Sequence, residues 1–181
     1  MKISGSFIIA LACLGALLPA AEPVSASAVR TKVAQEKESL LALYRDLHSA
    51  PELSFQEVNT SARMAKEMRA AGFEVTEKVG KTGVVSVLKN GPGKTVLVRT
   101  DMDALPVVER TDVPFKSTVT STYRGETVGV MHACGHDSHT AILMGVAQAF
   151  VAVREQLPGT IVFLFQPAEE GAPEGEEGGA S

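Results

Sequence analysis

The sequence contains no tryptophan, few aromatic residues and only two cysteines. Aromatic side chains make up 5% of the 181 residues, which argues against a stacking platform for single-stranded nucleic acid. A basic surplus is also missing, because 17 lysine and arginine residues face 21 aspartate and glutamate residues. Proteins that bind nucleic acid through its phosphates normally carry a basic surplus or patch. We therefore expect no nucleic-acid partner.

Apart from these shortages, the composition is that of an ordinary globular protein, with 45% hydrophobic and 21% charged residues. The length is sufficient for one domain with a sizeable core. The net charge of −4 has a local origin. It comes from five glutamates near the C-terminus that have no lysine or arginine among them: Glu169, Glu170, Glu174, Glu176 and Glu177.

The N-terminus has the pattern of a secretory signal peptide. Lys2 precedes a stretch of apolar and small residues at positions 7–18, and small residues suited to cleavage follow at positions 24–28. The apolar stretch is short for crossing a bilayer, so we expect no stable membrane anchor. We predict a signal peptide over residues 1–26, cleavage between Ala26 and Ala28, and export to the periplasm or the medium.

The remaining chain alternates helical and strand patterns, which predicts an α/β fold with a mixed or mostly parallel sheet flanked by helices. Residues 27–32 are predicted to be a linker, and residues 109–127 a loop or weak hairpin. The strand at 95–99 is apolar enough to be buried on both faces. Helices are predicted at 33–47, 60–71 and 139–157, and strands at 73–75, 84–88, 95–99 and 161–165.

Three of the four histidines and one cysteine lie within residues 131–140. Thiolate and imidazole are ligands that zinc, manganese, cobalt or nickel accept. Cys134 and His136 are separated by one glycine, and on a turn this spacing can direct both donors at one centre. Asp137 is a candidate to orient a ligating imidazole. His132 and His139 remain open as ligands, as supporting groups or as substrate contacts.

Two readings of this cluster compete with metal binding. The first is a loop of histidines beside a buried structural thiol. The second is a redox role for Cys134, although cleavage of the signal peptide would remove Cys13 and leave no second cysteine to resolve an oxidised thiol.

Two acidic motifs follow predicted strands. Asp101 and Asp103 come after the strand at 95–99, and Glu169 and Glu170 come after the strand at 161–165. In open α/β sheets, ligands bind beyond the carboxyl ends of the strands. A pair of glutamates can divide the work, because one carboxylate can bind a metal while the other accepts a proton from water.

Four motifs together resemble the amidohydrolase branch of the M20 metallopeptidases. This branch includes hippurate hydrolases, N-acyl-amino-acid amidohydrolases and plant auxin-conjugate hydrolases. The resemblance covers residues 33–181. The motifs are residues 47–53 (LHSAPEL), 99–106 (RTDMDALP), 131–140 (MHACGHDSHT) and 165–171 (FQPAEEG).

The resemblance implies a zinc-peptidase-like catalytic domain with two divalent metal ions, of zinc, manganese, cobalt or nickel. Cys134, His136 and Glu170 correspond to metal ligands, and Glu169 to the general base that acts on a metal-bound hydroxide. Asp101 and Asp103 correspond to positions that support the site. The implied reaction is hydrolysis of the amide bond of a small N-acyl or N-aroyl amino acid.

The family also has two further histidine ligands and a lid or dimerisation domain downstream of the matched motifs. We therefore expect residues 33–181 to be the N-terminal part of a catalytic domain that is incomplete at its C-terminus. A homodimer is left open for a longer form. Two functional alternatives also stay open: a dipeptidase or aminoacylase of the same superfamily, and an inactive metal-binding fragment.

Overall fold

The computed structural model describes residues 25–178. The predicted signal peptide lies almost entirely outside these residues, as does Cys13. Among the described helices, none is both long and apolar enough to cross a membrane.

The first helix begins earlier than the sequence pattern predicts. Helix α1 spans Ala26–Ser49, and the side chain of Ser25 accepts a hydrogen bond from the backbone nitrogen of Ala28 at 3.3 Å. The prediction of a linker at residues 27–32 is therefore wrong. These residues include neither glycine nor proline, so nothing in them interrupts a helix that Ser25 caps. The helix ends just before Pro51, as proline requires of the residues that precede it.

The sheet is mixed, which confirms the predicted α/β class. The elements after α1 are α2 (Val58–Ala70), β1 (Glu74–Val79), β2 (Gly83–Asn90), β3 (Thr95–Asp101), β4 (Thr120–Tyr123), β5 (Glu126–Gly129), α3 (His136–Ala152) and β6 (Gly159–Gln166). Its strand order is β1-β2-β6-β3, with β1–β2 and β2–β6 antiparallel and β3–β6 parallel. A separate hairpin pairs β4 with β5 and begins within the region predicted as a loop or weak hairpin.

The main core lies between the sheet and the helices. Helices α2 and α3 contact the sheet, and α1 packs against α3. Strand β6 alternates as a half-buried strand should: Phe163 and Phe165 are fully buried, whereas Val162 and Leu164 are partly exposed. The buried side chains of β6 meet Met64 and other apolar residues of the helices in one cluster.

Strand β3 is not buried on both faces, contrary to the prediction from its composition. Val96 is 54% exposed and Leu97 is 58% exposed. The reason is position, because β3 lies at the edge of the described sheet and pairs only with β6 there. An apolar run predicts a strand but cannot specify where in the sheet that strand lies.

The parallel pairing of β3 with β6 brings the two acidic motifs together. Asp101 pairs with Gln166, so the residues that follow each strand emerge side by side at one edge of the sheet. The backbone nitrogen of Met102 also donates to the carbonyl oxygen of Gln166 at 3.0 Å. Both acidic motifs therefore lie at one edge of the sheet, beyond the ends of their strands.

Candidate metal centre

A left-handed glycine sets the direction of the cysteine and histidine donors. Gly135 has φ +92° and stands at the N-cap of α3. Glycine adopts this conformation without the steric cost that a β-carbon would bring. Cys134 consequently lies in the loop before the helix and is exposed, whereas His136 opens the first turn and is buried.

Two groups of donor atoms meet around His136. Ligand atoms of Cys134, His136 and Glu170 lie within 4.8 Å of one another, and so do those of Asp101, His136 and Glu169. The Nε2 atom of His136 is 3.8 Å from Oε2 of Glu169 and 3.9 Å from Oε1 of Glu170. The two groups share one imidazole, so they are overlapping alternatives for the position of a cation.

Asp103 fixes the orientation of this shared imidazole. The Nδ1 atom of His136 donates to the backbone carbonyl oxygen of Asp103 at 2.8 Å, which leaves Nε2 facing Glu169 and Glu170. Burial opposes the charged imidazole, but the nearby Asp103 carboxylate, the bond to the Asp103 carbonyl and the charge of Asp101 raise the pKa of His136 to about 9. A ligating histidine is commonly held in this way through its other ring nitrogen.

The Asp103 side chain is itself held by two donors. Its Oδ2 atom accepts from Ser54 Oγ at 2.7 Å and from the backbone nitrogen of Glu170 at 2.8 Å. Burial works to raise the pKa of Asp103, yet the nearby His136 imidazole and the bonds from Ser54 and the Glu170 backbone lower it. Asp103 therefore connects three parts of the site as a buried carboxylate.

The donor set fits a divalent cation. Oε1 of Glu170 and Oδ1 of Asp103 are buried, and neither has a hydrogen-bond partner among residues 25–178. Such orphaned buried oxygens are costly unless something satisfies them. The adjacent Glu170 carboxylate, burial and further negative charges raise the pKa of the Cys134 thiol to about 11. A soft sulfur, an imidazole and carboxylates together suit zinc, manganese, cobalt or nickel.

The other predicted site residues occupy different surroundings. Asp137 was predicted to orient a ligating imidazole, but its Oδ2 atom instead bonds Nδ1 of His48 at 2.6 Å. His132 is buried, burial lowers its pKa to about 4, and neither ring nitrogen has a partner within the described chain. His139 is exposed on α3, with its ring centroid 6.2 Å from that of His136.

A buried His48 network behind the site was missed from the sequence. Nδ1 of His48 contacts Asp137, and Nε2 lies 3.1 Å from Oε1 of Glu109. Burial opposes the charged imidazole of His48, but the two carboxylates raise its pKa. The network anchors the first turn of α3 behind His136. The LHSAPEL motif contains His48 and offered a signal, whereas no local pattern marks Glu109.

Comparison with known proteins places these features in a family. The profile of peptidase family M20/M25/M40 matches residues 97–181. Thermostable carboxypeptidase 1 of Saccharolobus solfataricus is 45% identical over 154 residues, covering 84% of this chain and 36% of that protein. An N-acyl-L-amino acid amidohydrolase of Geobacillus stearothermophilus is 40% identical over 150 residues, covering 82% of this chain and 38% of that protein.

A solved structure shares the fold and much of the sequence. It is a dinuclear metal-binding peptidase from the M20 family of Bacillus subtilis, with a TM-score of 0.68 and 41% sequence identity. The match covers 76% of this chain and 37% of that one. This chain thus spans little more than a third of the length of the relatives described here.

Proposed function

The chain belongs to peptidase family M20/M25/M40, and from this membership we propose that it serves the metal-dependent hydrolysis of N-acyl or N-aroyl amino acids. The products would be a carboxylic acid and a free amino acid. One observation carries the proposal: ligand atoms of Cys134, His136 and Glu170 lie within 4.8 Å of one another beyond the ends of two parallel strands, with Glu169 beside them. A dinuclear relative and an amidohydrolase relative support the same assignment.

We assign Cys134, His136 and Glu170 as residues that hold the metal, with Asp101 and Asp103 in support. A bound divalent cation would supply Lewis acidity, which lowers the pKa of water towards about 7. Glu169 lies at the open side of the site, with a side chain that is 36% exposed. Its carboxylate accepts a proton from the attacking water and later delivers it to the nitrogen of the departing amine.

A cleft beside Glu170 gives a small substrate a place to bind. Its volume is about 200 Å³, and it lies between the loop that follows α1, the β4–β5 hairpin and the segment after Glu170. Leu53 and Ala104 line its apolar side, and Tyr123 and Arg124 line the hairpin side. The mixture of apolar and polar surface suits a small acylated amino acid rather than a macromolecule.

Two alternatives share these residues. A dipeptidase or aminoacylase of the same superfamily would use the same proton acceptor and differ only in the substrate that the cleft selects. The second alternative is metal binding without turnover. In a version of the protein that turns over substrate, assay on N-acyl amino acids and on dipeptides tests the first alternative. Metal binding without hydrolysis of either substrate class would indicate the second.

The two glutamates provide the sharpest test of the assigned roles, in a version of the protein that turns over substrate. Glu169→Gln removes the proton acceptor but leaves the proposed ligands, so metal content should persist while kcat falls by about 10² or more. Glu170→Gln should instead lower metal content, because an amide is a weaker ligand than a carboxylate. Elemental analysis of metal per chain, read beside kcat, measures both effects.

Glu177→Gln is the matched control, since Glu177 is exposed and belongs to neither donor group. It should change neither metal content nor kcat. Loss of metal in the Glu169 variant with normal metal in the Glu170 variant would reverse the assignment. Full activity in both variants would remove the pair from the mechanism.

We also propose that residues 1–26 direct export, so that the mature chain begins at Ser27 or Val29. The proposal depends on Lys2, the apolar stretch and the small residues that follow. N-terminal sequencing of periplasmic or secreted protein tests it. Soluble cytoplasmic protein that retains Met1 would refute it.

A further inference from the structure

The loop between α1 and α2 reaches both sides of Glu169. On one side, Ser54 bonds the Asp103 carboxylate, which accepts from the backbone nitrogen of Glu170. On the other side, Oε1 of Glu57 accepts from the backbone nitrogen of Ala168 at 2.8 Å. The backbone positions immediately before and after Glu169 are therefore both tied to one loop.

Helix capping does not account for Glu57. It occupies the N-cap position of α2, yet its side chain makes no capping hydrogen bond. The first turn of α2 is served by Glu52 instead, whose carboxylate accepts from the backbone nitrogens of Asn59 at 3.0 Å and Thr60 at 2.8 Å. The Glu57 side chain points away from its own helix, towards the segment after β6.

The Glu57 carboxylate is fully buried and used at both oxygens. Its relative exposure is 0%, and Oε2 accepts from Thr82 Oγ1 at 2.6 Å. Burial raises its pKa, while the bonds from Thr82 and the Ala168 backbone work in the opposite direction. Burying an ionisable group is unfavourable, and an apolar side chain would fill this space at lower cost. The presence of a carboxylate at this buried position is therefore best explained by its hydrogen bonds with Ala168 and Thr82.

Ala168 needs such support. It has φ +52°, a left-handed conformation, and its side chain is 1% exposed. For a residue other than glycine this conformation costs about 1–2 kcal/mol. It persists where the surroundings hold it, and such residues concentrate at functional sites. The turn at Ala168 directs the two glutamates that follow it towards His136.

We propose that Glu57 is a positioning residue, which holds the left-handed Ala168 so that Glu169 and Glu170 face His136. Glu57 itself touches neither substrate nor metal. Ser54 and Asp103 hold the Glu170 side of the same turn. The consequence for metal affinity rests on the proposed function, whereas the consequence for the backbone at Ala168 does not.

Amide hydrogen exchange in the metal-free 181-residue chain tests the backbone consequence. In Glu57→Ala, the Ala168 amide loses its acceptor and should exchange about tenfold faster relative to the β6 amides. Glu52→Ala is the matched control, because it removes a carboxylate from the same loop that serves only α2. It should leave the Ala168 exchange rate within about threefold of wild type.

Glu57→Gln distinguishes positioning from bulk stability. The amide oxygen can still accept from Ala168, and the amide nitrogen can donate to Thr82 Oγ1, so slow exchange should return. Should Glu57→Ala not fold, Thr82→Val removes one of the two bonds to Glu57 and should accelerate Ala168 exchange about threefold. The proposal would be overturned if the Ala168 amide exchanged at the wild-type rate in Glu57→Ala. If Glu57→Ala does not fold, a wild-type exchange rate in Thr82→Val would overturn it instead.

Titration with Co²⁺ or Zn²⁺ tests the second consequence. The dissociation constant should rise about tenfold in Glu57→Ala and recover in Glu57→Gln, while Glu52→Ala resembles wild type. If wild-type chain bound neither ion, the proposed function would fail while the exchange experiment still decided the role of Glu57. If wild type bound metal and Glu57→Ala bound it equally well, the positioning role would be refuted.

Discussion

Replacing His48 with leucine should destabilise the protein strongly. His48 lies between two carboxylates, 2.6 Å from Asp137 and 3.1 Å from Glu109. The three side chains are 9%, 2% and 0% exposed, respectively, so water screens the network little. His48→Leu leaves the two buried carboxylates facing an apolar group. Removing one partner from a buried ion pair typically costs about 3–5 kcal/mol.

The remaining hydrogen bonds of the carboxylates place the expected cost at the lower end of that range. Glu109 keeps the bond from the Ser117 backbone nitrogen at 2.5 Å and the bond from Thr111 Oγ1. Asp137 keeps the bond from the Ser138 backbone nitrogen at 2.7 Å. We therefore expect a loss of about 3 kcal/mol. For a domain of this size, that corresponds to a fall in Tm of about 6–12 °C.

Urea denaturation of the metal-free chain measures the loss, through the midpoint at constant slope. Glu74→Gln is the control, because it breaks an ion pair with Lys89 whose side chains are 73% and 72% exposed. Exposed pairs of this kind contribute less than about 1 kcal/mol. A loss in His48→Leu no larger than that of the control would refute the reasoning.

The pH dependence gives a second check. Because the folded pKa of His48 is raised, the folded state binds the proton more tightly, and this stabilisation is fully present below about pH 6.5. It is lost as the pH rises through the raised folded value. The difference in stability between wild type and His48→Leu should therefore be largest near about pH 6 and narrow at alkaline pH. A difference that grew with rising pH would contradict the assignment.

Three further predictions concern the metal centre. Near about pH 9, Cys134 should react with iodoacetamide several-fold more slowly in the presence of divalent metal than after chelation. Equal rates would show that the thiol is not a metal ligand. Metal binding at about pH 7 should release about two protons, because the pKa values of Cys134 and His136 are raised to about 11 and about 9. Calorimetry in buffers of different ionisation enthalpy counts them, and no release would contradict ligation by this pair. Gly135→Ala should lower the free energy of unfolding by about 1–2 kcal/mol and weaken metal binding. Gly91→Ala, at φ +81° in another turn, should lower the free energy of unfolding by a similar amount without changing metal affinity.

The amino-acid sequence by itself determined the types of element and the chemistry of the centre. Alternating helical and strand patterns predicted the α/β class, because apolar periodicity is a local property of the chain. Cys134, His136 and the pair Glu169 and Glu170 were identified as candidates because their residue types suit metal binding and proton transfer. The positions of the acidic motifs after strands also favoured a ligand site beyond the strand ends. The parallel pairing of β3 with β6, which the structure shows, brings the two motifs together there.

Only the tertiary structure decided which residues position the candidate metal ligands. The sequence pattern predicted burial of the 95–99 strand on both faces, but its exposure depends on strand order, which no local pattern encodes. Asp137 was predicted to orient the imidazole ligand, yet Asp103 does so, because side-chain partners depend on how α3 docks beside β3. Glu57 bonds Ala168 across 111 residues of sequence. Contacts over such distances arise from packing. For that reason the sequence identified the candidate metal ligands but not the residues that position them.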